Sequence, residues 1–141
     1  MFPGKGFKVK PMFITRIEDR HGNVLATFTP KRKEIISELT AYSIAKMMEG
    51  VMRSGTGRGI WSYVPEMAIA GKTGTTLLAY GNKEEKNNKQ YQASFVGFFP
   101  AKNPKYSCIV VVNNPKENGF YGGNVAAPIF KEISDKIYAS D

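Results

Sequence analysis

The residues best suited to chemistry lie in the segment Gly71–Thr76, which reads Gly-Lys-Thr-Gly-Thr-Thr. The ammonium of Lys72 and the hydroxyl of Thr73, carried on one strand, can together hold a substrate carboxylate. Gly74 has no side chain, so a substrate backbone can lie directly against the strand there. The segment therefore predicts a binding site for a carboxylate group.

A phosphate-binding loop is the other interpretation of a Gly-Lys-Thr sequence. That motif requires a glycine five positions before its Gly-Lys pair, and position 66 is Glu66. The lysine of such a loop also opens a helix, whereas we expect Lys72 and Thr73 to end a strand that spans Met67–Gly74. We therefore reject a nucleotide site.

Three other candidates have weaker support. Ser43 and Lys46 form a Ser-x-x-Lys pattern, but this spacing places any such pair one turn apart on a helix, so we interpret it as a coincidence. His21, the only histidine, lies in a predicted turn without a partner cluster. Cys108, the only cysteine, lies in an apolar run, so we expect a buried thiol. The sequence predicts no metal site and no cofactor.

Two strands and a helix are predicted before the Lys-Thr-Gly segment. Pro11–Glu18 and Val24–Phe28 are predicted to pair as a hairpin around a turn that contains Gly and Asn. A helix is predicted over Ser37–Ser54, with its first serine as the N-cap and Gly55 placed to end it. Its apolar residues recur at three- and four-residue steps: Leu39, Tyr42, Ala45, Met48 and Met52.

Two more strands and a second helix are predicted after the segment. Residues 77–90 are charged and rich in Gly and Asn, so we expect a mobile loop. Ala93–Phe99 and Tyr106–Val112 are apolar runs that predict a second hairpin. A final helix is predicted after Gly119–Asn124 and runs to about Tyr138, with Pro128 in its first turn. One face of it carries Ile129, Ile133 and Ile137.

This order of elements predicts an α+β fold. We expect an antiparallel sheet of about five strands flanked by two helices. The composition agrees, because 141 residues with 42% hydrophobic and 12% aromatic side chains are ordinary for one globular domain. No apolar run approaches the roughly 20 residues of a membrane span. The net charge of +8 indicates a solvated basic surface and no nucleic-acid partner, since aromatic and basic residues do not interleave.

A series of short motifs surrounds the Lys-Thr-Gly triad. They are Val9–Pro11, Met48–Val51 with Gly55 and Thr56, Ala68–Thr75, Gln92–Pro100, Asn103–Tyr106, Tyr121–Gly123 and Val125–Ile133. On these motifs the chain resembles class B penicillin-binding proteins, in particular the division-type peptidoglycan D,D-transpeptidases. Arg16–Val24 and Gly55–Arg58 are closer to the bifunctional class A enzymes, which leaves the subclass open.

The resemblance implies a role for each residue of the triad. As catalytic residues it implies Lys72, which would tune the electrostatics near an attacking serine, and Thr75, whose N–H would supply half of an oxyanion hole. As substrate-binding residues it implies Thr73, Gly74 and Thr75. Together these would hold the carboxylate of a peptidoglycan stem peptide or of a β-lactam.

The resemblance also implies that part of the site lies elsewhere. The serine of the family and its Ser-x-Asn motif precede Lys-Thr-Gly by a long stretch. Tyr80–Asn82 imitates the second motif but follows Lys-Thr-Gly, so we interpret it as loop. Residues 1–141 would then be the C-terminal portion of a transpeptidase domain, inactive without its N-terminal half. An upstream segment would anchor it at the extracytoplasmic face of the bacterial inner membrane, where divisome proteins would be further partners.

Two other functions stay open. A serine D,D-carboxypeptidase or a β-lactamase-type hydrolase of the same superfamily would need its own nucleophile and a deacylating base. A non-catalytic cell-wall-binding module would keep the fold and lose the chemistry.

Overall fold

The computed structural model describes residues 3–62, 64–78 and 89–140. The chain divides into two compact units, residues 1–44 and 45–141. In the described part, seven strands form three antiparallel sheets, accompanied by two α-helices. The predicted α+β class with antiparallel pairing and two helices is confirmed. The strands nevertheless divide among three sheets, so the expectation of one sheet of about five strands is corrected.

The first unit contains two short two-stranded ribbons. Strands β1 (Phe7–Val9) and β4 (Arg32–Glu34) pair with each other, which the sequence did not predict. Strands β2 (Arg16–Glu18) and β3 (Val24–Thr27) form the predicted hairpin. Residues 11–15 stay outside β2, where the sequence predicted strand. Pro11 opens that stretch, and proline has no N–H to donate to a ladder.

The turn of the β2–β3 hairpin is closed by Asp19. Its carboxylate accepts the backbone N–H of His21 at 2.7 Å and the N–H of Asn23 at 3.0 Å. The side-chain amide of Asn23 donates to it as well, at 2.8 Å. These hydrogen bonds explain how aspartate and asparagine fix a turn at the surface.

Helix α1 spans Glu38–Ser54, close to the predicted range. The Ser37 hydroxyl accepts the backbone N–H of Thr40 at 3.2 Å, which satisfies one of the unpaired donors of the first turn. The helix ends at the predicted glycine. A Cβ on Gly55 would lie 2.8 Å from the carbonyl oxygen of Val51, so the tight exit from the helix requires glycine.

The predicted apolar stripe of α1 is buried at its C-terminal end only. Met52 is fully buried, whereas Leu39 and Tyr42 are exposed. Periodicity identifies an apolar face of a helix, but it does not say what covers that face.

The second unit is built on a three-stranded sheet in the order β5–β6–β7. Its strands are β5 (Ala70–Leu77), β6 (Tyr91–Phe99) and β7 (Tyr106–Asn113). The predicted bounds of β5 are wrong by a few residues at both ends. Pro65–Met67 forms one turn of 3-10 helix before the strand, and pairing with β6 continues beyond Gly74 to the end of β5. Most of the predicted mobile loop, residues 79–88, lies outside the described residues.

Helix α2 (Gly122–Tyr138) packs on one face of this sheet. Phe130 is fully buried and meets Phe95 and Phe99 edge-on, with ring centroids 4.7 and 5.7 Å apart. Such contacts stabilise beyond the area that they bury. The buried core consists of Met52, Ile60, Ile69, Phe95, Phe99, Val110, Ala126, Ala127 and Phe130.

Two expectations about α2 need correction. Ile133 and Ile137 of the isoleucine face pack against the core, but Ile129 is 42% exposed, while Ala126 and Ala127 are fully buried. Small residues let the helix lie close to the sheet, a requirement that hydrophobicity alone does not reveal. The helix also begins earlier than predicted, at Gly122, so Pro128 lies beyond the first turn and leaves the carbonyl of Asn124 without its helical donor.

The opposite face of the sheet carries exposed apolar side chains. Val96 on β6 lies directly opposite Ile109 on β7, which is 64% exposed, and Val111 is exposed beside them. We call these three residues the open face. Cys108 is half-buried rather than buried and contributes to the α2 side of β7. No helix among the described residues is long and apolar enough to cross a membrane.

Candidate functional site

The Lys-Thr-Gly segment lies on β5, which is an edge strand of its sheet. Among the residues that the structure describes, β5 pairs with β6 on one side only. The backbone groups along its other side are therefore available to an extended ligand, which could add to the sheet as a further strand. That a peptide backbone lies against the segment at Gly74 stays a prediction.

Thr73 and Thr75 project from the same face of β5, because side chains alternate along a strand. The Thr73 hydroxyl lies 2.8 Å from the hydroxyl of Thr56, in the loop that follows α1. The Thr75 hydroxyl accepts the backbone N–H of Gly122, the first residue of α2, at 3.2 Å. The strand, the loop and the helix N-terminus thus converge on these two hydroxyls.

Lys72 is exposed and curls back over its own strand. Its ammonium donates to the carbonyl of Thr73 at 2.7 Å and lies 3.5 Å from the hydroxyl of the same residue. No Asp or Glu is among the described residues that line the surrounding cleft. Within the described ranges, the positive charge at Lys72 therefore faces the cleft without a carboxylate beside it.

Glycines allow the N-terminus of α2 to approach this strand. A Cβ on Gly122 would lie 2.3 Å from the carbonyl oxygen of Ser94 and 2.5 Å from that of Gly74. A Cβ on Gly123 would lie 2.4 Å from the carbonyl oxygen of Thr56. Any other residue would push the helix away. The partial positive charge at a helix N-terminus favours anions nearby, so the close approach reinforces the charge of the cleft.

Gly74 has a packing role in addition to the predicted one. A Cβ there would lie 2.5 Å from the hydroxyl oxygen of Ser94 on β6. The sequence explained this glycine only by the approach of a substrate.

The cleft around these residues has a volume of about 730 Å³ and combines cations, hydroxyls and a helix N-terminus. This is the chemistry that binds a carboxylate. Sequence reasoning assigned no role in the site to Thr56, Arg58 or Gly122. The full set of lining residues is Ser54, Gly55, Thr56, Arg58, Gly59, Lys72, Thr73, Thr75, Tyr121, Gly122, Gly123 and Asn124.

The other candidates from the sequence do not add to this site. The Ser43 hydroxyl donates to the carbonyl of Leu39 at 2.9 Å, within its own helix, and the Lys46 ammonium binds the Glu49 carboxylate at 2.8 Å. His21 lies in the exposed β2–β3 turn. Within the described ranges, no group of His, Cys, Asp and Glu is arranged to hold a metal ion. Tyr80–Asn82 lies outside those ranges.

Comparison with known proteins connects this geometry to a family. The model of the penicillin-binding protein transpeptidase domain matches residues 2–135. The peptidoglycan D,D-transpeptidase FtsI of Buchnera aphidicola is 37% identical over 105 residues, which are 74% of this chain and 18% of that protein. Stage V sporulation protein D of Bacillus subtilis is 40% identical over 102 residues, which are 72% of this chain and 15% of that protein. The chain thus spans less than a fifth of either relative.

Solved structures give the same result for the fold. Penicillin-binding protein 3 of Mycobacterium tuberculosis matches 99% of this chain and 32% of its own, with a TM-score of 0.78 and 26% identity. The transpeptidase domain of the FtsI4 D,D-transpeptidase of Legionella pneumophila matches 97% of this chain and 42% of its own, with a TM-score of 0.64 and 29% identity.

Proposed function

The chain belongs to the penicillin-binding protein transpeptidase domain family, and we propose that it supplies the carboxylate-binding strand of a peptidoglycan D,D-transpeptidase active site. One observation carries the proposal. Lys72, Thr73 and Thr75 lie on an edge strand beside a helix N-terminus, in a cleft with no acidic residue among those described. The names of the relatives support it, as does a complex of the Mycobacterium tuberculosis protein with aztreonam.

In this mechanism the chain binds and polarises a stem peptide that ends in D-Ala-D-Ala. Thr73 and Thr75 hold the terminal carboxylate, while the peptide backbone lies along β5 at Gly74. A serine attacks the peptide carbonyl, the terminal D-Ala leaves, and the acyl group passes from the serine to an amine of a second strand. The N–H of Thr75 donates to the oxyanion, and the ammonium of Lys72 stabilises negative charge near the serine.

The serine is proposed to lie outside residues 1–141. Ser43 belongs to the Ser-x-x-Lys pattern of the chain, but its hydroxyl is engaged by a carbonyl of its own helix. The share of the relatives that the chain covers leaves ample length for the remaining motifs. The missing N-terminal half of the domain would cover the open face, whose apolar side chains are exposed. The site would act at the extracytoplasmic face of the inner membrane, because peptidoglycan is cross-linked there, with divisome proteins as further partners.

The test is the rate of acylation by a fluorescent penicillin, measured on the longest gene product that contains this chain. Lys72→Ala should slow acylation by about 10²-fold or more, as expected for the loss of an electrostatic stabiliser. Thr73→Val should mainly weaken recognition of the carboxylate. Lys8→Ala removes the same charge from the exposed strand β1, so it is the matched control and should leave the rate unchanged. Equal rates for Lys72→Ala and Lys8→Ala would contradict the proposal.

The lifetime of the acyl-enzyme separates the transpeptidase from the hydrolase. A transpeptidase should retain the penicilloyl group long after unbound penicillin is removed, because it has no base that activates water. A β-lactamase-type hydrolase would lose the group within the same assay. A wall-binding module would never acquire it.

A further inference from the structure

Thr56 stands out in the cleft because its hydroxyl contacts a proposed substrate-binding residue. The Oγ1 atoms of Thr56 and Thr73 are 2.8 Å apart although 17 positions separate the residues in the chain. The mechanism above gives Thr56 no role. A distance of 2.8 Å between hydroxyl oxygens is that of a good hydrogen bond.

The backbone around Thr56 is held on two sides. On one side, a Cβ on Gly55 would clash with the carbonyl of Val51. Gly57 is buried on the same side, and a Cβ on it would lie 1.9 Å from the Cε atom of Met52. Both glycines donate their backbone N–H to the Val51 carbonyl, each at 3.1 Å. On the far side, the carbonyl of Thr56 lies against the first turn of α2. The loop is therefore built to fix the position of the Thr56 side chain.

Counting donors and acceptors fixes the direction of the hydrogen bond when a ligand is bound. A hydroxyl has one hydrogen to donate and two lone pairs that accept. A carboxylate only accepts, so Thr73 must direct its single hydrogen at the ligand. Thr56 must then donate to Thr73. The Lys72 ammonium, which has no lone pair, can approach the Thr73 oxygen only as a second donor.

We infer that Thr56 is a positioning residue for carboxylate recognition: it donates a hydrogen bond to Thr73 and thereby turns the Thr73 hydroxyl into a dedicated donor to the ligand. The inference rests on the proposed function, since it needs an anionic ligand on β5. Donation into the Thr73 oxygen also polarises its O–H bond, which strengthens the bond to the carboxylate.

The test compares two forms of one ligand, benzylpenicillin and its methyl ester, on the longest gene product that contains this chain. The ester lacks the negative charge, and its neutral carbonyl accepts the Thr73 hydrogen more weakly than a carboxylate does. Thr56→Val keeps the volume of the side chain and removes its hydroxyl. We expect it to slow acylation by the free acid roughly 3- to 10-fold, the value of one hydrogen bond, and to slow the ester reaction less. Thr56→Ser restores the hydroxyl and should restore the rate. Thr27→Val makes the same change on the exposed strand β3 and should alter neither reaction.

Each outcome decides between the two claims. Selective slowing of the acid reaction by Thr56→Val, with rescue by serine, supports the inference. If Thr56→Val slows acid and ester equally, or neither, while Thr73→Val selectively slows the acid, then Thr56 has at most a structural role and the inference is overturned, but the proposed function stands. If Thr73→Val shows no selectivity either, the proposed carboxylate site itself is wrong.

Discussion

The three-stranded sheet and the two ribbons of this chain are stabilised in different ways. In the sheet, α2 covers one face and buries Phe95, Phe99 and Phe130. In the ribbons, strands β1, β2 and β4 are exposed throughout, and Lys8 even lies directly opposite Lys33. The ribbons therefore depend on backbone pairing and turn chemistry, and the sheet depends on packing. The site lies on the packed region, where a hydroxyl can be held in place by neighbouring elements.

The largest expected difference between the regions concerns aromatic side chains. Phe130→Ala should lower the free energy of unfolding by about 3–5 kcal/mol, because it leaves a cavity between α2 and the sheet. Phe28→Ala, next to the β2–β3 ribbon and exposed, should change it by about 0.5 kcal/mol or less. Urea denaturation of the two variants measures both values. Similar losses would show that the ribbons have a packed core of their own.

A smaller effect is expected where α2 meets the site. Gly122→Ala should lower the free energy of unfolding by about 1–3 kcal/mol through overpacking against β5 and β6. It should also slow acylation, because it moves the helix away from Thr75. Gly50→Ala in α1 is the matched control, since a Cβ added at that position would have no neighbouring atom within 4 Å. It should stabilise the protein by up to about 1 kcal/mol. A stable, fully reactive Gly122→Ala variant would contradict the close approach.

The like-charge pair on the β1–β4 ribbon gives an effect in the opposite direction. Lys33→Glu places a carboxylate opposite Lys8, so it should stabilise the protein by roughly 0.2–1 kcal/mol, the usual range for cross-strand pairs. The gain should shrink as salt is added, because exposed charges are screened. Thermal unfolding at low and high salt tests this. A gain that is independent of salt would mean that electrostatics is not its cause.

The smallest effect concerns the turn of the β2–β3 hairpin. The hydrogen bond from the Asn23 side chain, followed by the backbone N–H groups of the turn, lowers the pKa of Asp19 below its ordinary value of 3.8. The stabilising contribution of the carboxylate is thus present above that value and is lost as the pH falls through the lowered pKa. NMR titration should give a midpoint below 3.8, and Asn23→Ala should raise it. A midpoint at or above 3.8 would show that the turn is open in solution.

The comparison also explains what the sequence could predict. The hairpin β2–β3 was predictable because its turn residues act locally, and β6 and β7 were predictable as continuous apolar runs. The ribbon β1–β4 was missed because Phe7–Val9 and Arg32–Glu34 are distant in sequence and because Arg32–Glu34 contains no apolar residue. The start of α2 was missed because the N–H of its first residue, Gly122, donates to the Thr75 hydroxyl on strand β5, which is distant in sequence.

The residues of the candidate site were also predictable only where they are neighbours in the sequence. Lys72–Thr75 was predicted because adjacent residues on a strand carry their chemistry together. Thr56 lies beside these residues only in the folded chain. The one feature of its sequence neighbourhood that points to a role is the pair of glycines that flank it. Residues that position others in this way lie beyond what spacing along the chain can reveal.

In the proposed mechanism, this chain holds the ligand while a serine from elsewhere in the protein attacks it. The most direct measurement is to locate the adduct by peptide mass spectrometry after the longest gene product that contains this chain reacts with benzylpenicillin. We expect a penicilloyl group on a serine outside residues 1–141, and no adduct when the 141-residue chain is treated alone. An adduct on Ser43 that Ser43→Ala abolishes would contradict it.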